Sequence, residues 1–430
     1  LLIRSEFLVK LQYYFFSASL AVNKIVKISF IKKRNTGKGI ILVKKSSDNL
    51  DQKKRIVIVG PAYPLRGGNA LFIAHLYELL SCRYDVKVVS FSKLYPDFLF
   101  PGVRQNDISS KGMKVHPAEH IINSVIPTTW QKAAKRIKLL KPDALILNWW
   151  QPFFGFLYNY LGRSYKRAFP DGKLVVIAEN IISHESRLPD RFLTNMALKR
   201  AEYFITLSNS VHEEILRLYP GKPARKAALP IYDCYAPQKT LTIDEAKSAL
   251  GLANKKVLLF FGYVRKYKGL DNLLKAMPIA LFSCPDLHLL VVGEFYDSPA
   301  EYLDLIKQLG ISNNVTIVNE YVPNEDVGKY YSAADLVVLP YNSATQSGIL
   351  NIAFGFNKPV LVTRVGGLTE SIIEGKNGII VPPLNPKALA ESIIEFFLTA
   401  AGDELRQNMN RSKASSEFEL IIPAIEEFLK

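Results

Sequence analysis

Cysteine is scarce in this 430-residue chain. The three present, Cys82, Cys234 and Cys284, are far apart, with no C-x-x-C spacing and no histidine cluster beside them. That pattern suggests a reducing compartment, hence a cytoplasmic protein, and leaves no metal site to expect. Long apolar runs are missing too. No stretch of about twenty uncharged apolar residues exists, so no membrane span is expected. The net charge is +16, yet no helix-turn-helix, zinc-finger or RNP-like stretch accompanies it, and nucleic acid ranks last among acidic partners.

What is present is 48% hydrophobic residues in short, strand-length runs separated by helical patterns. A chain of this length holds two or three domains, and the alternation argues for a soluble α/β protein. The positive charge belongs to the front of the chain, while the last two hundred residues are net negative. Such asymmetry fits an anionic membrane surface or an acidic ligand.

Residues 1–53 differ from the rest. The segment opens on Leu1, and the first methionine is Met113, inside the first folded domain, so it reads as an upstream over-translation or a fragment. Its apolar run, Leu11 to Val22, is too short for a span, and the basic residues that follow lie on the wrong side for a secretory signal. A poorly ordered basic extension is expected, with a membrane-surface anchor as the second reading.

The first domain is expected over 54–230. Arg55 to Gly60 is a strand that runs through Gly67-Gly68 into a helix with apolar Phe72, Ile73, Leu76 and Leu79. This is a Rossmann-like opening without G-x-G-x-x-G, and no acidic residue follows at the distance that would hold a ribose. The glycine pair instead lets a ligand approach the helix start from across a cleft. Strands recur at Val86 to Ser90, Ala144 to Asn148, Leu174 to Ala178 and Tyr203 to Leu207, which predicts a parallel sheet covered on both faces. Ligands of such sheets sit beyond the carboxyl strand ends, and those ends carry Asn148-Trp149-Trp150-Gln151 and Glu179-Asn180. At least one of the two tryptophans is expected in the cleft or on a contact surface. His184 and Glu185 stand together without a second histidine at ligand spacing, which favours a polar site residue or a plain loop over a metal ligand. Trp130 to Lys141 reads as a basic amphipathic helix packed on the sheet, with an anionic membrane surface as the second use of its charges.

The second domain is expected over 231–408, with 409–430 as a terminal helix. Lys256 to Phe261 is a strand whose exit, GYVRKYKG, holds Arg265, Lys266 and Lys268 between two glycines and suggests anion contact. Strands follow at Leu287 to Val292, Val315 to Val318, Leu336 to Leu339, Val360 to Thr363 and Gly378 to Val381. Between Pro340 and Glu370 a polar loop empties through Ser347-Gly348 onto a helix N-terminus, a ready phosphate or diphosphate site. Glu370 returns a carboxylate to the rim of the same crevice.

In this order and spacing the motifs GPAYPLRGG, NWWQPFFG, ENIISHE, FFGYVRKYKG, VVGE, TQSGILNIAFGFNKPV and GGLTESIIEG make residues 54–430 resemble a GT-B glycosyltransferase of family 4, the glycosyl transferases group 1. The resemblance implies two Rossmann-like domains facing across a cleft, with the final helix crossing back to the first. It implies a retaining, metal-independent transfer from a nucleotide-diphosphate sugar to a glycan or lipid-linked acceptor, with no cofactor. Cell-surface polysaccharide assembly, with peripheral contact at the inner membrane face, is the context expected. By resemblance, Lys268 and Arg265 contact the donor diphosphate, Ser347, Gly348 and Ile349 supply amides to it, and Gly67 and Gly68 face it from the other domain. Glu294 and Glu370 stand near the donor, Tyr321 near the base, and Glu179 and His184 near the acceptor. Two departures stand out: Thr345 or Gln346 and Ile352 replace the paired glutamates common in the family, and Glu179 stands where many members have histidine. The alternatives kept open are a sugar-nucleotide epimerase of the same fold and a non-catalytic binding protein.

Overall fold

The computed structural model describes residues 53–96, 100, 104–110, 112–181, 188–235, 241–296, 298–411 and 417–430. The expected extension over 1–53 thus lies outside the described residues except for Lys53. Two parallel sheets organise the rest. The first comprises β1 (Arg55–Val59), β2 (Asp85–Lys93), β3 (Glu119–Asn123), β4 (Ala144–Trp149), β5 (Lys173–Ala178), β6 (Tyr203–Thr206) and β7 (Ala224–Lys226), in the order β3-β2-β1-β4-β5-β6-β7. The second comprises β8 (Lys256–Phe261), β9 (Leu287–Val292), β10 (Val315–Val318), β11 (Leu336–Leu339), β12 (Val360–Thr363) and β13 (Gly378–Val381), in the order β10-β9-β8-β11-β12-β13. The strand order reverses between β1 and β4 in one sheet and between β8 and β11 in the other. Crevices at the carboxyl ends of such reversals are where open α/β sheets bind ligands.

The central strands are buried on both faces, as continuous apolar runs require: all six residues of β4 and of β9 are buried. The edge strands β3 and β7 escape the apolar pattern. Both are short and polar, and Ala-Arg-Lys offers no run to read.

Helices follow the strands in alternation. In the first domain they are α1 (Gly68–Ser81), α2 (Pro127–Leu140), α3 (Gly155–Ala168), α4 (Leu188–Leu198) and α5 (Asn209–Leu218). The second has α6 (Ile243–Ala249), α7 (Leu270–Ser283), α8 (Ala300–Gln308), α9 (Asn324–Ala333), α10 (Gly348–Gly355), α11 (Pro386–Leu398) and α12 (Ala400–Arg411), before α13 (Ile421–Phe428). On α2 the apolar face, Trp130, Ala133, Ala134, Ile137 and Leu140, is buried, while Lys132, Lys135 and Lys138 are exposed. Of the two tryptophans, Trp149 is fully buried, and Trp150 is half-buried, donating its ring N–H to the Tyr95 hydroxyl at 3.0 Å.

The last residues leave the second sheet and pack on the first. Phe418, Ile421, Ala424, Ile425 and Phe428 join Ile56, Ile58, Phe72 and Ile73 in one core. Phe428 stacks on Tyr203 with ring centroids 4.4 Å apart. Burying two phenylalanines and two isoleucines gives about 1.5–3 kcal/mol each, which binds this segment to the first domain.

Candidate active site

The chain leaves β8 through Gly262, whose φ of +89° is open to glycine. A Cβ there would lie 2.9 Å from Ile349 Cδ1 and 3.4 Å from the Lys268 ammonium, so the missing side chain is what lets both approach. A short 3-10 turn, Lys266–Lys268, then ends at Gly269, φ +65°, packed so closely that a Cβ would stand 2.0 Å from the Pro340 carbonyl. The two strand-exit loops are also bonded together. Asn342 donates its backbone N–H to the Tyr267 carbonyl at 2.7 Å, and Asn272 Nδ2 donates to Asn342 Oδ1 at 2.9 Å. This cross-bracing sets Lys268 beside the loop that ends at α10.

Lys268 is 7% exposed, and among the described residues no carboxylate pairs with it. Burial, and then the nearby Arg265 charge, lower its pKa to about 7. At α10 the N-cap Ser347 makes no side-chain bond to the first turn, so the helix-start amides are left for a ligand. Both features open on a cavity of about 300 Å³ between the domains. Gly67, Gly68, Lys268, Glu294, Tyr321, Ser347, Gly348 and Ile349 all line it. An ammonium that meets the Tyr341 ring at 5.6 Å but no carboxylate, together with helix-start amides on the same cavity, suits a phosphate or diphosphate.

Two residues expected at the donor, Arg265 and Glu370, are not in the wall of this cavity. The Arg265 guanidinium stacks 3.6 Å from the centroid of the Tyr296 ring. Glu370 lines a second cavity, also of about 300 Å³, that shares Gln346 and Ser347 with the first. Gly366 and Gly367 pack against the carbonyls of Ala344 and Thr345, and Glu370 leaves that turn toward α5. There its two oxygens accept the Asn209 backbone N–H at 2.7 and 3.0 Å, and Lys226 stands 3.2 Å away. The helix N-terminus and the lysine hold this carboxylate in place. His184 falls within 182–187, outside the described residues.

Glu179 is buried at the end of β5, where Asn148 Nδ2 donates to its Oε1 at 2.8 Å. Burial raises its pKa to about 7 against the opposing Asn148 bond. It does not line the cavity. Its neighbour Asn180 accepts a hydrogen bond from the Thr345 hydroxyl across the cleft.

Arg66 has no place in the sequence expectations, although it directly precedes Gly67. Its side chain, 3% exposed, pairs with Glu294 of the other domain at 2.6 Å and lies 4.5 Å from the Tyr321 ring centroid. Much of the remaining wall is aromatic, with Tyr232, Tyr235, Phe261, Tyr263, Tyr267 and Tyr341. Tyrosines scattered through loops and helices carry no local signal of convergence.

Comparison with known proteins agrees with this geometry. Residues 242–415 match the family described as glycosyl transferases group 1. Spore coat protein SA of Bacillus subtilis is 28% identical over 50% of this chain and 60% of its own length. The D-inositol 3-phosphate glycosyltransferase of Corynebacterium urealyticum is 29% identical over 51% of this chain and 55% of its own. The chain thus matches little more than half the length of these relatives. Among solved structures, Anabaena Alr3699/HepE in complex with UDP superimposes with a TM-score of 0.65, at 19% identity, over 87% of this chain and all of that one. The fold is therefore GT-B, and its second domain, over residues 242–415, matches the glycosyl transferases group 1.

Proposed function

We propose that the chain is a retaining glycosyltransferase that moves a sugar from a nucleoside-diphosphate donor to a glycan or lipid-linked acceptor, in cell-surface polysaccharide biosynthesis. The observation that carries this reading is the buried Lys268, with no carboxylate partner among the described residues, beside the uncapped first turn of α10. A buried cation without a counter-ion is costly, and a diphosphate supplies the missing charge. HepE, of the same fold, was solved with UDP and with UDP-glucose, which supports a nucleotide-sugar donor.

Breaking the bond from the anomeric carbon to the diphosphate moves an electron pair onto the departing phosphate and leaves oxocarbenium character on the sugar. Lys268 and the amides at Gly348 and Ile349 stabilise the departing charge without reorganising, and no metal or cofactor is assigned a role. The acceptor hydroxyl attacks on the face the phosphate leaves, and its proton passes to that phosphate. Glu179, at the carboxyl edge of the first sheet, orients the acceptor. Arg265 acts on the donor through its charge near Lys268 rather than by lining the cavity.

The exposed lysines of α2, with Leu139 65% exposed among them, fit peripheral contact with an anionic membrane from the cytoplasmic side. Co-sedimentation with anionic vesicles at low salt that fades at high salt is the expected result; no binding at low salt removes this part of the reading.

A binding protein without transfer is the second reading. It is favoured by the lack of glutamate around α10, where Thr345 bonds to Asn180 and Ile352 is buried. A screen of the full chain against UDP-, GDP-, ADP- and TDP-sugars, reading donor turnover beside thermal stabilisation, separates the two. Turnover with one donor supports transfer. Stabilisation with no turnover in the presence of glycan and lipid-linked acceptors supports the binding protein, and epimer release without acceptor marks an epimerase.

A further inference from the structure

Residues 104–110 belong to the first domain but bond to the second. Asp107 accepts the Tyr321 hydroxyl at 3.1 Å and Asn324 Nδ2 at 2.7 Å. The Ser109 hydroxyl accepts the Asn324 backbone N–H at 2.8 Å, and the Ser110 N–H donates to Glu325 at 2.9 Å. The helix α9 begins after Pro323, which offers no capping side chain, so an oxygen from the other domain satisfies its first turn.

This segment is bonded to residues 64–66. Leu65 pairs antiparallel with Asn106, the Arg66 N–H donates to the Gln105 carbonyl at 3.0 Å, and the Asp107 N–H donates to the Pro64 carbonyl at 2.8 Å. Arg66 and Asp107 are therefore held on one bonded pair of segments. Both grip residues of the cavity wall, since Glu294, Tyr321 and Asn324 all line it. None of these contacts between the domains belongs to either sheet.

We infer that residues 64–66 and 104–110 form a latch that fastens the first domain over the nucleotide cavity, and that nucleotide enters and leaves when the latch parts. The inference rests on the nucleotide-sugar reading above. A residue that only touches ligand slows its escape. A latch slows entry and escape together.

The test uses the full chain with Asp107→Ala, which removes two of the bonds, and Glu325→Ala, which removes one from the opposite domain; neither side chain lines the cavity. Association and dissociation rates are measured by stopped flow with whichever of UDP, GDP, ADP and TDP binds. Asp107→Ala raises both rates about tenfold or more, the factor that losing two bonds of ordinary net strength gives, and Glu325→Ala, which loses one, raises both by less. A rise in dissociation alone, or in neither rate, overturns the latch. A second arm needs no nucleotide: spin labels on Cys82 and on Phe282→Cys, both exposed, report the distance between domains in a Cys234→Ser background. Asp107→Ala adds a longer-distance population. If the distance distributions coincide, the latch is wrong. If they separate while no nucleoside diphosphate binds the wild type, the latch stands and the donor reading falls.

Discussion

Both carboxylate oxygens of Glu370, in the second domain, accept the backbone N–H of Asn209, the first residue of a helix in the first domain, at 2.7 and 3.0 Å. The side chain is thereby an interdomain fastening, held by a helix N-terminus and by Lys226. Replacing it by alanine is expected to cost about 1 kcal/mol of stability, the usual worth of a helix-terminus contact. Nucleotide affinity is expected to stay within about twofold, because both contacts of Glu370 are to the first domain and it is not in the wall that holds Lys268. Thermal unfolding and a nucleotide titration of Glu370→Ala check both halves; unchanged stability with lost affinity would return Glu370 to the donor.

Lys268→Met keeps the volume of the side chain and removes its amine. Without ligand the variant is expected to be more stable than the wild type near pH 7 by on the order of 1–3 kcal/mol, the cost of a buried polar group without a partner. The sign of the pH dependence follows from the pKa of about 7, below the ordinary 10.5. Between those values the unfolded chain holds the extra proton, so wild-type stability rises with pH and the advantage of the variant shrinks. Urea unfolding at pH 7 and pH 9.5 measures the change.

Glu179→Gln retains an oxygen for Asn148 and cannot ionise. The wild-type pKa of about 7 stands above the ordinary 4.5, so the stability it contributes is full below pH 4.5 and is lost as pH rises through 7. The variant is expected to match the wild type at pH 4.5 and to exceed it at pH 8 by on the order of 3 kcal/mol. If Glu179 orients the acceptor as a carboxylate, wild-type turnover rises through pH 7 and the variant shows no such limb.

Gly68 has no atom within 4 Å of the position a Cβ would take, and it faces the cavity. Gly68→Val is therefore expected to fold with nearly unchanged stability and to bind nucleotide about tenfold or more weakly, because the added methyls occupy ligand space. Circular dichroism and a binding titration check this together. Loss of the fold would show that the open space is not free.

The strands show why part of this molecule is legible in its sequence. Leu287–Val292 is buried on both faces, and such a strand must be a continuous apolar run, so its bounds can be read directly. Ala224–Lys226, at a sheet edge, carries no such constraint. Lys268 is legible because glycines bracket it and a helix start follows in the pattern. Which of three neighbouring cations turns inward is not: Arg265 finds the Tyr296 ring and Lys266 stays exposed. Glu370 and Arg66 show the same limit, since their partners Asn209 and Glu294 lie 161 and 228 residues away. A local pattern places a side chain at a strand end, while the partner it meets is set by how two domains close.

The most direct test of the central claim is a calorimetric titration of UDP, GDP, ADP and TDP into the wild-type chain and Lys268→Met, repeated in buffers of different ionisation enthalpy. A diphosphate beside Lys268 favours its charged form, so binding at pH 7 to 8 takes up protons, and affinity falls as pH rises above about 7. The account predicts that at least one nucleotide binds the wild type with proton uptake, and that Lys268→Met loses both the binding and the uptake. Equal binding to the two proteins, or binding without proton uptake, would contradict it.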